Sequence, residues 1–163
     1  MFEAETLARA QSALDACRAR GWHIATAESC TGGLVAGALT AIAGSSDVLE
    51  RGFVTYSNKA KSELLGVAPE IIAAHGAVSA ETAAAMAQGA VTRAPVDLAI
   101  SVTGVAGPGG ATPTKPVGLV LLGLARRGGT CRTERHVFGG DRSAVRQAAL
   151  EVALRMLEIE ARS

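Results

Sequence analysis

The stretch that decides the fold is His23–Gly33, HIATAESCTGG, where a short apolar segment runs into a hydroxyl, a thiol and two glycines. The apolar residues 23–27 predict a β-strand, and residues 34–43 predict a helix. A strand that turns directly into a helix is typical of α/β folds. Ser29 lies in that turn, at the carboxyl end of the strand, where ligands collect in open α/β sheets.

The rest of the chain alternates in the same way. Helices are predicted over residues 3–20, 59–65, 69–75, from the cap at Ser79 onwards, and 141–160, and strands over residues 51–56, 98–102, 118–125 and 131–138. Arg127-Gly128-Gly129 separates the last two strands and indicates an antiparallel hairpin. We therefore expect one domain, residues 1–163, folded as a three-layer α/β/α sandwich around a mixed, mostly parallel five-stranded sheet.

The composition narrows the classes of partner. Hydrophobic residues make up 48% of the 163 residues and aromatic residues only 3%, so the core must be aliphatic. A net charge of +1 gives no electrostatic case for nucleic acid or a membrane surface, although a small anionic ligand needs only a local site.

The cysteines and the amino-terminal sequence indicate whether the protein binds a metal and where in the cell it is located. Three dispersed cysteines without a CxxC pair, and three dispersed histidines, predict neither a metal site nor a disulfide framework, and no cofactor is expected. The start, MFEAETLARA, has the pattern of an amphipathic helix rather than a signal peptide, and no apolar run reaches about 20 residues. These features predict a soluble cytoplasmic protein.

Ser29 has two interpretations at this point. A serine that precedes a helix can simply cap it. Alternatively, its hydroxyl is a nucleophile and the amides of the following helix stabilise an oxyanion. Cys30 is a rival nucleophile, since a nearby helix amino terminus favours a thiolate, but a small buried cysteine is also common.

A nucleophilic serine needs a base, and no histidine lies in a glycine-rich turn. A lysine can take this role if burial lowers its pKa. Tyr56, the only tyrosine, falls at a strand end, and Lys59 and Lys61 follow within about one helical turn. Solvated lysines and a packed tyrosine are the ordinary alternative, which the pattern alone leaves open.

A second glycine-rich turn spans residues 103–110 and follows the central strand. It lacks the GK[ST] ending of a P-loop, so its glycines either relieve a tight turn or form a nest for phosphate. Asp141 is most simply a helix cap, and the neighbouring Arg142 has the fork geometry that binds anions.

Seven motifs occur in order along the chain: Thr26–Gly33, Gly44–Ser46, Arg51–Lys61, His75–Ser79, Gly104–Pro108, Lys115–Gly118 and Gly140–Arg142. Together they resemble the CinA C-terminal-domain family of nicotinamide-nucleotide amidases. The resemblance spans nearly the whole chain. It implies a three-layer α/β/α fold, like the element pattern, and a serine amidohydrolase that converts nicotinamide mononucleotide to nicotinate mononucleotide and ammonia in pyridine-nucleotide recycling.

The resemblance also assigns residues. It implies Ser29 as the nucleophile, with Tyr56 and Lys61, rather than Lys59, as its partners. Residues expected at the substrate are Glu28, Thr31, Gly32, Gly33, Thr103, Gly104, Gly107 and Arg142. A non-catalytic nucleotide-binding or partner-docking domain, or an amidase for another nucleotide amide, are the alternatives. The only partner expected is the small nucleotide, together with a possible homodimer.

Overall fold

The computed structural model describes residues 1–163 and contains every predicted element. The elements are α1 Ala4–Ala19, β1 Ile24–Glu28, α2 Leu34–Thr40, a 3₁₀ turn Ser45–Asp47, β2 Leu49–Val54, α3 Asn58–Leu65, α4 Pro69–His75, α5 Ala80–Arg93, β3 Leu98–Gly104, β4 Leu119–Arg126, β5 Cys131–Val137 and α6 Arg142–Arg162. The boundaries fall within a few residues of the predicted ones. No helix combines the length and the apolarity that crossing a lipid bilayer requires.

The five strands form one mixed sheet in the order β2-β1-β3-β4-β5. β1 pairs in parallel with both β2 and β3, whereas β4 pairs antiparallel with β3 and with β5. Only β4 therefore runs against the other strands, which confirms the mixed, mostly parallel sheet. The predicted antiparallel hairpin is β4–β5, closed by residues 127–130.

Helices cover both faces of this sheet and complete the three layers. On one face, α1, α2 and α6 pack with Ile24 and Ile100 in a core of 26 buried residues. On the other face, α3 and α5 pack with Ala25 and Ala27 in a smaller core of 12 buried residues. Side chains of a strand alternate between the faces, so successive residues at the end of β1 belong to different layers.

Small residues let α5 approach the sheet closely. A Cβ atom at Gly123 would lie 2.4 Å from the carbonyl oxygen of Ala83, so no other residue fits there without a shift. The Ser101 hydroxyl donates to the same carbonyl oxygen at 2.6 Å. The alanine-rich composition thus brings α5 and the neighbouring α3 close to the carboxyl ends of β1 and β3.

Candidate active site

Ser29 lies immediately after β1 and is held by backbone hydrogen bonds on both sides. Its amide donates to the carbonyl oxygen of Val102 at 2.9 Å, and its carbonyl oxygen accepts from the amide of Gly32 at 3.0 Å. Gly32 and Gly33 have φ values of +59° and +100°, a conformation that glycine adopts without strain. The two glycines therefore let the chain turn sharply from the strand into α2.

Glu28 points to the opposite face from Ser29. Its side chain is fully buried and accepts hydrogen bonds from the amides of Gly33, Val35 and Ala36 at 3.1, 3.1 and 2.9 Å. These amides open α2 and have no partner within the helix, so Glu28 caps it. The structure does not bring Glu28 to the substrate side that we expected for it, because the alternation of β1 turns it towards α2.

Lys61 reaches Ser29 from the second turn of α3. Its Nζ donates to the Oγ of Ser29 at 3.0 Å and to the carbonyl oxygen of Thr55 at 2.9 Å. Lys61 is 1% exposed and forms no ion pair with a carboxylate. Burial lowers the pKa of its ammonium group because the charged form loses hydration.

Lys59 occupies the outer face of the same helix. Its side chain is 82% exposed and lies 3.5 Å from the carboxylate of Glu63. Residues two positions apart point to nearly opposite sides of a helix. Of the two lysines that the spacing left open, Lys61 is therefore the one that contacts Ser29.

Tyr56 and Arg142 form the outer rim of the site. The Arg142 guanidinium donates to the Tyr56 hydroxyl at 3.0 Å and to the carbonyl oxygen of Gly107 at 2.9 Å. Tyr56 is 63% exposed and makes no hydrogen bond to Ser29 or Lys61. The rim therefore joins the β2–α3 connection, the second glycine-rich turn and α6.

The amides of the turn are not equally available to a ligand. The Gly32 amide donates to the Ser29 carbonyl oxygen, and the Gly33 amide donates to Glu28. The amides of Cys30 and Thr31 donate to no protein atom. Of these two residues, Cys30 lines the cavity, whereas Thr31 is fully buried and does not.

The second turn supplies the opposite wall. The Thr103 hydroxyl donates to the carbonyl oxygen of Ala77 at 2.8 Å, which fixes the segment between α4 and α5. A Cβ atom at Gly104 would lie 2.7 Å from the carbonyl oxygen of Leu119, so this glycine permits close packing on β4. Gly107, at φ +82°, turns its carbonyl towards Arg142.

These groups enclose a cavity of about 210 Å³. Its lining comprises Ser29, Cys30, Tyr56, Asn58, Lys61, Ala77, Val78, Thr103, Gly104, Ala106 and Arg142. A neighbouring depression of about 480 Å³ shares Ala106 and Arg142 and includes Pro108 and the start of α6. The site therefore has a small inner chamber at Ser29 and a larger outer one beyond Arg142.

The rival nucleophile and base are less suited to catalysis. Cys30 is buried, and this burial raises the pKa of its thiol to about 11, so the reactive thiolate is scarce near neutral pH. His23, His75 and His136 do not line the cavity. No group of three His, Cys, Asp or Glu side chains has an arrangement that could hold a metal ion.

The sequence did not single out several residues of the site. Asn58, Ala77 and Val78 line the cavity, and each lies inside a family motif, which was the available signal. Arg146 donates to the carbonyl oxygens of Cys30 and Thr31 at 3.1 and 3.0 Å. It follows Arg142 by four positions, which places both on one side of α6.

Comparison with known proteins finds a matching family, similar sequences and similar structures. The model of the CinA C-terminal domain family matches residues 6–160. The nicotinamide-nucleotide amidohydrolase PncC of Escherichia coli K12 is 48% identical over 157 residues, which cover 96% of this chain and 95% of that protein. A competence/damage inducible protein of Agrobacterium tumefaciens has a solved structure with a TM-score of 0.96 and 45% identity, covering 100% of this chain and 99% of that one.

Longer relatives share the same region. A CinA-like protein of Syntrophobacter fumaroxidans is 50% identical over 140 residues, which cover 86% of this chain and 33% of that protein. The chain therefore spans about a third of the length of such relatives, and nearly the full length of the amidohydrolase from E. coli.

Proposed function

Because the chain belongs to the CinA C-terminal domain family, we propose that it hydrolyses the carboxamide of nicotinamide mononucleotide, releasing nicotinate mononucleotide and ammonia. The observation that carries the proposal is the contact of 3.0 Å between Nζ of the buried Lys61 and Oγ of Ser29. A nucleophile and a base within hydrogen-bonding distance, inside a cavity, are what acyl transfer requires.

The first step is attack on the carboxamide. Lys61 in its neutral form takes the Ser29 proton directly, because its Nζ lies within reach whereas the Tyr56 hydroxyl is bound to Arg142. The Ser29 oxygen then bonds to the carboxamide carbon, and the carbonyl oxygen becomes an oxyanion. The amide of Cys30, which lines the cavity beside Ser29, binds this oxyanion, a contribution of typically about 3 kcal/mol for a donor in serine hydrolases.

The second step releases ammonia and regenerates the enzyme. The protonated Lys61 returns its proton to the leaving nitrogen, and the C–N bond breaks to leave an acyl ester on Ser29. Water then attacks the ester carbon while Lys61 accepts its proton, and the C–O bond to Ser29 breaks as Lys61 returns that proton to the Ser29 oxygen. One base at one position thus serves both halves of the reaction.

The two chambers suit the two ends of a nucleotide. The inner cavity of about 210 Å³ receives the carboxamide end beside Ser29. The ribose and phosphate extend into the outer depression, where Arg142 and the turn at Gly107 provide a cation and backbone groups for an anion. In this placement Tyr56 forms part of the rim and orients Arg142.

Ammonia release from nicotinamide mononucleotide tests the proposal. Ser29→Ala should reduce turnover by at least about 10⁴-fold, as expected when a hydrolase loses its nucleophile. Ser62→Ala, on α3 but outside the cavity lining, is the matched control and should keep wild-type turnover. Near-wild-type turnover of Ser29→Ala would reject the mechanism.

The alternatives give different results in the same assay. A nucleotide-binding domain without catalysis would bind the mononucleotide, as calorimetry would show, but release no ammonia from any amide. An amidase for another nucleotide amide would release ammonia from a different member of a panel of nucleotide amides. In both amidase cases the Ser29→Ala variant is inactive, so the panel identifies the substrate independently of the mechanism.

The proposed setting is pyridine-nucleotide recycling in the cytoplasm, by a protein whose partner is the small nucleotide. The three cysteines are unpaired, which suits a reducing compartment. The possible homodimer expected from the Ala- and Val-rich helices is tested by light scattering: a mass near twice 16.5 kDa would support it.

A further inference from the structure

Arg146 binds the turn that carries the nucleophile, although it lies more than a hundred residues further along the chain. Its Nε donates to the carbonyl oxygen of Cys30 at 3.1 Å, and its Nη2 donates to that of Thr31 at 3.0 Å. It forms no ion pair with a carboxylate. The rigid fork of a guanidinium is therefore used entirely on two successive carbonyl groups.

The contact with the Cys30 carbonyl fixes the direction of one peptide of this turn. The Cys30 carbonyl and the Thr31 N–H belong to one planar trans peptide, in which they point in opposite directions. Holding the carbonyl on the α6 side consequently directs the Thr31 N–H away from α6.

The rest of the turn is already fixed by other bonds. The Ser29 amide is bound to Val102, and the Gly32 amide is bound to the Ser29 carbonyl. Arg146 is the only side chain that binds the carbonyls of Cys30 and Thr31. The Thr31 carbonyl also accepts from the Leu34 amide at 3.2 Å, whereas the Cys30 carbonyl has Arg146 as its partner. Arg146 therefore adds a link from α6 to the turn that the Gly32–Ser29 hydrogen bond closes.

We infer that Arg146 is a positioning residue for catalysis, which holds the turn after Ser29 so that the Ser29 hydroxyl and the Cys30 amide keep their places beside the cavity. The inference rests on the proposed amidase function. Arg146 touches no reacting atom and does not line the cavity. Its effect is thus expected on the chemical step, and substrate binding in the ground state should change little.

The test compares Arg146→Ala and Arg146→Lys with a control on the same helix. Arg155→Met removes an arginine that binds Glu134 at 2.7 Å, far along α6 from the turn. With nicotinamide mononucleotide, we expect kcat of Arg146→Ala to fall by about 10- to 100-fold with KM nearly unchanged, less than the 10²–10³-fold loss of an oxyanion donor itself. Arg146→Lys keeps the charge but not the fork and should also lose kcat.

Chemical rescue separates positioning from general stability. Guanidinium at millimolar concentration should restore part of the kcat of Arg146→Ala, because it can occupy the vacated place beside the two carbonyls. It should leave the wild type and Arg155→Met unchanged. Thermal unfolding of each variant verifies folding. If Arg146→Ala does not fold, kcat and KM of Arg146→Lys are compared with those of the wild type instead.

A second readout does not depend on the substrate. The rate at which a fluorophosphonate labels Ser29 should fall in the Arg146 variants, since its phosphoryl oxygen occupies the position of the oxyanion. A folded Arg146→Ala with unchanged kcat and labelling rate, or a rise in KM alone, would overturn the inference. Activity that survives Ser29→Ala would instead overturn the proposed function, so the two failures are distinguishable.

Discussion

Two buried ionisable groups flank the end of β1, and they differ in the partners that surround them. On the α2 face, Glu28 is fully buried and accepts three hydrogen bonds from amides that open the helix. On the α3 face, Lys61 is 1% exposed, forms no ion pair, and bonds only to the Ser29 hydroxyl and the Thr55 carbonyl. Glu28 and Ser29 are consecutive, so the pleat of one strand separates the two environments.

The two groups differ in whether neighbouring partners offset the cost of burying a charge. A buried charge with matched partners holds a structure together, whereas a buried amine without an opposite charge favours its neutral form. Glu28 therefore stabilises the turn that carries Ser29, and the burial of Lys61 favours the neutral amine that the proposed mechanism needs. Perturbed groups of the second kind are typical of catalytic sites.

Replacing Lys61 should have the largest effect on activity and little effect on folding. We expect Lys61→Met to reduce turnover by about 10⁴-fold, in the range for loss of a general base. Methionine has a similar length and carries no charge to bury, so the free energy of unfolding should stay equal or rise. Lys59→Met, on the exposed face of α3, is the matched control and should retain activity; its inactivation would reassign the base.

Replacing Glu28 should have the reverse pattern, with stability as the main loss. Glu28→Gln keeps the shape but places an amide nitrogen against helix N–H groups, and we expect the free energy of unfolding to fall by about 2–3 kcal/mol. Denaturant titration measures this change. Residual activity should persist under folding conditions, and a stable but inactive variant would show that Glu28 acts in the chemistry.

The pH profile of the wild type should reveal the titration of Lys61. Only the neutral amine accepts the Ser29 proton, so kcat/KM should rise about tenfold per pH unit below the pKa of Lys61 and then level off. Because burial lowers this pKa, the plateau should begin below pH 10.5, the ordinary value for lysine. Ammonia release across pH measures the profile, and a pH-independent rate would contradict the role of Lys61.

The smallest expected effect is on the pH dependence of stability. The native state binds fewer protons than the unfolded chain between the lowered pKa of Lys61 and 10.5. The Lys61 contribution to the free energy of unfolding therefore rises with pH across this window, and its penalty is fully present below it. The Tm advantage of Lys61→Met over the wild type should accordingly be greater near neutral pH than at about pH 10.

Much of the fold was predictable because it depends on local patterns. The apolar runs, the caps at Ser79 and Asp141 and the hairpin at Gly128 each identify an element or its end without tertiary information. The end of β2 was harder to predict from the sequence. The strand stops at Val54, so Tyr56 lies beyond it on an exposed rim. Strand ends depend on pairing with neighbours, which the sequence does not display.

The site was predictable only in part. The pattern placed Ser29 in a strand-to-helix turn, and family motifs distinguished Lys61 from Lys59. No sequence pattern indicated Arg146, because a lone arginine on a helix is usually solvated. Its contact with Cys30 joins the last helix to the first turn, and only the folded chain shows it.

The sequence by itself determined the alternation of strands and helices, the two glycine-rich turns and the presence of a hydroxyl at the first of them. Those features depend on periodicity and on backbone conformations that glycine allows. The tertiary structure alone decided which face each residue of the turn joins, which amides remain open, and that Lys61 is buried without a counter-charge. These are consequences of packing between distant segments of the chain, which the local sequence pattern does not display.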